Sequence, residues 1–145
     1  MSNPAVVLRE ATPADMPFVL HSYLKSYREA PLNKMINTKE YYKVHGDWVN
    51  SCILEPFSRI VLAVNPESPD QIYGYVWYFD LGDRKFVNWL YIKQPFRRFG
   101  VASLLLNQFK GVAGTYYTHF NDNWALFRSY NARYLPWYYF KKDEK

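Results

Sequence analysis

Residues Leu90 to Leu106 read LYIKQPFRRFGVASLLL: an apolar, β-type start, a loop with one proline, two adjacent arginines at Arg97 and Arg98, and Gly100 opening a leucine-rich run. A strand that ends just before a helix leaves the first N–H groups of that helix without intrahelical acceptors, and the positive end of the helix dipole stands behind them. Gly100 permits close backbone approach or a positive φ, Ala102 keeps the first turn narrow, and Arg97 and Arg98 set cationic donors beside it. Such a turn suits an anion, and a pyrophosphate would fit. The same letters also describe an ordinary strand-to-helix turn with two solvated arginines, and the pattern alone does not choose between the two.

Outward from this stretch the chain alternates strands and helices without repeats or low-complexity linkers. VVLRE (6–10) reads as a strand, and TPAD starts a helix with Thr12 as N-cap, Pro13 at the first helical position and Asp15 in the first turn, running to about Arg28. Thr38 is expected to cap a second helix whose Tyr41, Val44, Trp48 and Cys52 recur at helical spacing. RIVLAV (59–64), the turn chemistry NPESPD, and IYGYVWYF (72–79) predict a hairpin, and DLGDRK turns the chain again into FVNWLYI (86–92). After the helix from about Gly100 to Lys110 come a strand at TYYTHF (115–120), a shorter helix at NDNWALFRSYNARY (121–134) and a terminal strand at LPWYYF (135–140). The order β-α-α-β-β-β-α-β-α-β predicts an α/β (α+β) fold, a mixed and mostly antiparallel sheet flanked by helices.

Composition narrows the function classes. A chain of 145 residues with 49% hydrophobic and 20% aromatic residues can bury a real core, so one globular domain over 1–145 is expected and disorder is not. The single Cys52 permits no internal disulfide, and the first residues show no basic region followed by an apolar one. The expectation is a reducing, cytoplasmic setting with no membrane association. A formal net charge of +5 suits an anionic partner, a phosphate-bearing cofactor or nucleic acid, and equally a solvated surface with surplus lysine.

The segment Arg97-Arg98-Phe99-Gly100-Val101-Ala102 resembles the Gln/Arg-x-x-Gly-x-Gly/Ala motif of the GNAT superfamily of acyl-coenzyme A-dependent N-acetyltransferases. It lies between LYIKQPF, which looks like the fourth strand of that family and its loop, and VASLLLNQF, which looks like the helix after it. LREATPADMPFV is similar to the first strand and helix entry, and Asn123 to Tyr130 (NWALFRSY) looks like the Asn-x-x-Ala-x-x-x-Tyr stretch of the last family helix. The likeness runs from about Val7 to Phe140. Arg98 stands where many members carry another glycine, and Tyr134, Leu135 and Pro136 replace the usual Gly-Phe exit from the last helix.

The resemblance implies acetyl-coenzyme A as cofactor and an amine of a small molecule or protein as acceptor. Its pantetheine arm would lie against the backbone of Leu90, Tyr91 and Ile92, with Asn123 nearby, and its pyrophosphate against Arg97 to Ala102. Tyr130 would sit near the acyl group and protonate the departing sulfur, since a phenol is a neutral donor at pH 7. Members with a dedicated base often carry a Glu on the fourth strand, where KFVNWLYI has no carboxylate. Proton removal is therefore expected to run through an ordered water held by Asn88 and His119, with His119 itself the candidate side-chain base. His21 and His45 have no metal-ligand partners at the right spacing, so no metal is expected. Two other classes stay open: a nucleic-acid-associated protein on this fold, possible but not favoured, and an inactive binding or structural module. A monomer and a homodimer are equally compatible with the sequence.

Overall fold

The computed structural model describes residues 5–29, 33–110, 112, 114–118 and 132–134. Four strands run antiparallel in chain order: β1 (Val7–Glu10), β2 (Ser58–Asn65), β3 (Ser68–Asp80) and β4 (Lys85–Ile92). The chain then crosses over through helix α4 (Val101–Leu106), so that β5 (Thr115–Tyr117) pairs parallel to β4 and β6 (Arg133–Tyr134) parallel to β5. The sheet has six strands in the order β1-β2-β3-β4-β5-β6, the mixed and mostly antiparallel arrangement that the sequence predicts.

Central strands read as nearly continuous apolar runs because both faces of the sheet are covered. On one face Leu62, Val64, Tyr75, Trp77, Phe86 and Trp89 pack against Val19 and Tyr23 of α1 (Met16–Arg28) and Val49 and Cys52 of α3 (Gly46–Ile53). On the other, Ala63, Val76, Val87 and Leu90 pack against Val101, Leu105 and Leu106 of α4 and against Phe109 beyond it. The lone cysteine is therefore core.

The entry to α1 has the expected capping chemistry, reinforced from β1. Asp15 accepts from the Thr12 amide at 2.7 Å and its hydroxyl at 3.0 Å, while both ends of the Arg9 guanidinium reach its carboxylate at 2.8 and 3.0 Å. The bonds from Arg9, then from Thr12, outweigh burial and hold the Asp15 carboxyl at about 2, against 3.8 in the unfolded chain. A lowered folded value means stability that is complete above about pH 4 and lost as pH falls through about 2. Because Arg9 is a quarter exposed, the contribution is about 1–2 kcal/mol after screening. Denaturant titrations should show Asp15→Asn less stable by that amount at pH 7 and equal to the parent near pH 2; parallel losses in both proteins between pH 4 and 2 would refute the linkage.

The second helical segment departs from expectation in two ways. Its cap is Asn37, whose side-chain oxygen accepts from the amides of Lys39 at 3.0 Å and Glu40 at 3.2 Å, so Thr38 is already the first residue of α2 (Thr38–Glu40). A π-turn at Tyr41–His45 then precedes α3. One extra residue in a helical turn rotates the rest of the helix by about 100°. Tyr41 and Cys52 are buried as predicted, but Val44 and Trp48 are 62% and 38% exposed, and Val49 takes the inward position.

Elsewhere the hairpin turn is shorter than NPESPD suggests, since β3 already begins at Ser68. The strand from 115 is seen to Tyr117, and Arg133 and Tyr134, expected at the end of a helix over 121–134, are instead strand β6. The remainder of that helix and the strand expected at 135–140 lie outside the described residues.

Candidate functional site

The site region begins with one surplus residue in β4. Pairing with β3 runs one to one from Gly74↔Ile92 to Trp77↔Trp89, but the next pair is Tyr78↔Val87, so Asn88 faces no partner on β3. Side-chain facing agrees: Val87 packs on the α4 side and Trp89 on the α1 side, whereas regular alternation would put both on one face. Asn88 is therefore a β-bulge, which bends and twists a strand locally.

Among the described residues, pairing with the neighbouring strand ends at the same place. β5 pairs with β4 at Lys85, Phe86 and Val87, and the last link is the Thr118 amide donating to the Val87 carbonyl at 3.0 Å. Beyond that link, along residues 88–92, no strand among the described residues joins this edge of β4. The described pairing of the two parallel strands thus ends at the bulge, where Asn88 and Thr118 lie side by side.

Asn88 is 1% exposed and Thr118 2%. The Thr118 hydroxyl donates to Asn88 Oδ1 at 3.1 Å, which fixes the carboxamide, while Asn88 Nδ2 has no hydrogen-bond partner among the described residues. A buried donor left unmet costs about 1–3 kcal/mol. Nothing local in the sequence marks Thr118 as a site residue, and only the pairing of β5 with β4 brings it to Asn88.

Beyond the end of β4 stands the Arg97–Ala102 turn. The guanidinium Nε of Arg97 donates to the Ile92 carbonyl at 2.9 Å and so ties the turn to the end of β4. Arg98 has φ 70° and Gly100 φ 81°, both in the left-handed region. That accounts for the choice of glycine at 100, and it makes Arg98 a residue held in a conformation that costs a non-glycine roughly 1–2 kcal/mol. A Cβ built on Gly100 would meet no atom within 4 Å, so the space over this turn is open. The first bond into the helix runs from the Leu104 amide to the Gly100 carbonyl at 3.0 Å, which leaves the amides of Val101 and Ala102 without an acceptor inside the helix.

The residues expected to bind a cofactor divide by role. The Arg97 and Arg98 side chains are exposed, whereas Phe99 and Ala102 pack on the α4 core and Val101 lies within it, so the last three have only backbone to offer. Leu90 is buried on the α4 side, and Tyr91 and Ile92 are half-buried on opposite faces. Tyr130, His119 and Asn123 lie outside the described residues. His45 belongs to an aromatic cluster, with Nε2 2.9 Å from the Tyr23 hydroxyl and ring contacts to Tyr27, Tyr41 and Trp48. Burial pushes its pKa down to about 4, so it is neutral at pH 7. A cavity of about 290 Å³ lined by Glu10, Ser58 and Arg59 opens on the β1–β2 side of the sheet, level with the bulge but two strands across from β4.

No family model and no curated protein matches the sequence. Solved structures do match the fold. A Pyrococcus furiosus protein named as an acetyl transferase superposes with a TM-score of 0.67 at 19% identity, over 97% of this chain and 100% of its own. The Bacillus subtilis acetyltransferase-named protein YycN gives 0.69 at 13% identity, over 97% and 95%. The PaiA N-acetyltransferase of Thermoplasma acidophilum, solved in complex with coenzyme A, gives 0.58 at 11% identity, over 88% and 87%. With the sheet order, the bulge at Asn88 and the left-handed turn before α4 already established, these superpositions show that this chain has the fold of the GNAT acetyltransferases.

Proposed function

We propose that this protein is an N-acetyltransferase that takes the acetyl group of acetyl-coenzyme A and passes it to an amine. The observation that carries the reading is the end of β4, where the strand runs past the Asn88 bulge into a left-handed, helix-opening turn with two exposed arginines. The residues fit such a cofactor on grounds independent of family, because open space lies over Gly100 in that turn and the buried Asn88 Nδ2 has no acceptor among the described residues. The coenzyme A bound by the Thermoplasma protein on the same fold agrees with this.

When bound, the cofactor supplies an activated acyl carbon: the amine nitrogen bonds to it, the carbon–sulfur bond breaks, and the sulfur leaves with a proton. The chain's own groups divide the remaining tasks. The pantetheine arm would lie against the backbone of β4 near Leu90, Tyr91 and Ile92, as the family resemblance implies. The amides of Val101 and Ala102 and the side chains of Arg97 and Arg98 oppose phosphate charge. Tyr130 donates the proton that the sulfur takes, and the amine loses its proton through a water held by Asn88 and His119 or to His119 itself.

Melting in the presence of coenzyme A tests the binding step. Ligand at about one hundred times its dissociation constant should add about 2.7 kcal/mol to the wild type. Gly100→Val should lose that increment, because its side chain enters the open space over the turn. The variant's own stability should also fall by roughly 1–2 kcal/mol from the left-handed φ, and comparing increments separates the two effects. Arg97→Ala should only weaken the increment. No shift in the wild type at millimolar coenzyme A would sink the reading.

A further inference from the structure

We propose that the helical segment from Thr38 to Ile53 has two frames and that His45 selects between them: with the imidazole neutral the π-turn holds it inward, and with a proton on it the turn closes to an ordinary α-turn that brings Val44 and Trp48 in. The inference stands apart from the acetyl-transfer reading above. What carries it is the coincidence of a π-turn, an imidazole packed among aromatic rings, and two large apolar side chains on the outer face.

The two frames share their ends. Tyr41, Val44, Trp48 and Cys52 recur at the spacing of an unbroken α-helix. The π-turn at Tyr41–His45 inserts one residue, so every later position turns by about 100° and the inward set becomes His45, Val49, Cys52 and Ile53. Tyr41 and Cys52 are inward either way. Closing the turn exchanges Val49 and Ile53 for Val44 and Trp48, so apolar burial changes little, and what leaves the core is the imidazole. The slip is taken up between Leu54, which is 70% exposed, and the start of β2 at Ser58.

The surroundings of His45 suit only its neutral form. From α1, the Tyr23 hydroxyl lies 2.9 Å from Nε2 and the Tyr27 ring 5.1 Å from the imidazole; from its own segment come the rings of Tyr41 at 5.4 Å and Trp48 at 5.8 Å. Trp89 of β4 closes the cluster against Tyr23 and Tyr27. Lys43 and Asp47 beside it in the chain are exposed, Glu29 at the end of α1 pairs with Lys34, and Arg28, over the Tyr41 ring at 5.3 Å, is a cation that offers an imidazolium no counter-charge. Burial therefore drives the imidazole from 6.5 down to about 4. A lowered value means that the π frame keeps its full advantage above about pH 6.5 and loses it as pH falls toward 4. Between pH 7 and pH 5 the balance moves about twentyfold toward the unbroken helix, whose outward imidazole titrates as in water.

Fluorine NMR of protein labelled with 5-fluorotryptophan tests this, with the Trp48 resonance assigned by its loss in Trp48→Phe. Its shift between light and heavy water, which reports contact with solvent, should be present at pH 7 and fall at pH 5, while Trp77 and Trp89 stay dry at both. His45→Phe should abolish the change and keep Trp48 wet at pH 5. Val44→Asp should do the same with His45 intact, because the unbroken helix would bury the carboxylate, and it serves alone if His45→Phe does not fold. A Trp48 that stays wet at pH 5 in the wild type would overturn the proposal. So would a change that survives in Val44→Asp, or one that Trp77 and Trp89 share, which would be unfolding. None of these results bears on coenzyme A binding, so the acetyl-transfer reading stands or falls separately.

Discussion

Gly74→Ala should destabilise the protein by about 3 kcal/mol or prevent folding, and should weaken coenzyme A binding in whatever fraction folds. Gly74 lies in β3 opposite Ala63 of β2 and Ile92 of β4. A Cβ there would stand 2.4 Å from the Tyr91 carbonyl oxygen, 2.7 Å from Ile92 Cδ1 and 3.1 Å from Ile92 Cα. Two of those three atoms are backbone, so relief requires β4 to move away from β3, and overpacking of this kind costs about 1–3 kcal/mol or more. The part of β4 that would move is the end to which Arg97 ties the helix-opening turn, which is why binding should suffer along with stability. Urea titration gives the first quantity and calorimetry the second. A variant as stable as the wild type would show that the strands are not this close.

Tyr130→Phe should lower turnover by about 10²-fold or more while leaving coenzyme A affinity within about twofold. The tyrosine comes from the Asn-x-x-Ala-x-x-x-Tyr likeness at Asn123–Tyr130. If its phenol hands a proton to the departing sulfur, its loss affects the chemical step and not ground-state binding, so kcat falls while affinity for the cofactor holds. The aromatic ring is kept in Phe, which separates proton donation from packing. Finding an acceptor comes first, from polyamines, amino-acid amines and peptide lysines. Unchanged turnover would make Tyr130 a packing residue.

The order of elements up to β5, the helix after β4 and the capped entry to α1 are all legible in the letters, because each rests on local chemistry. Runs such as RIVLAV and FVNWLYI are too apolar and too short for anything but buried strands here, and Thr12-Pro13-x-Asp15 places a helix start within a residue or two. The exposure of Val44 and Trp48 is not legible, because periodicity assumes 3.6 residues per turn throughout, and a π-turn breaks that assumption without any residue that announces it. Asn37 displaces Thr38 as cap for a similar reason: both can cap, and the backbone at the boundary chooses.

By itself the sequence determined the mixed sheet, the Arg97–Ala102 turn and the lack of a carboxylate on β4, since these depend on residue type and spacing alone. It also showed a lone amide, Asn88, inside an apolar strand, but not why it is there. Only the tertiary structure decided that Asn88 is the bulge, and that Thr118 takes its oxygen while its nitrogen has no acceptor among the described residues. The physical reason is that FVNWLYI is apolar on both faces, so no alternation exists in the letters for an extra residue to interrupt. The slip becomes visible only when β3 and β5 supply the register against which residue 88 is one too many.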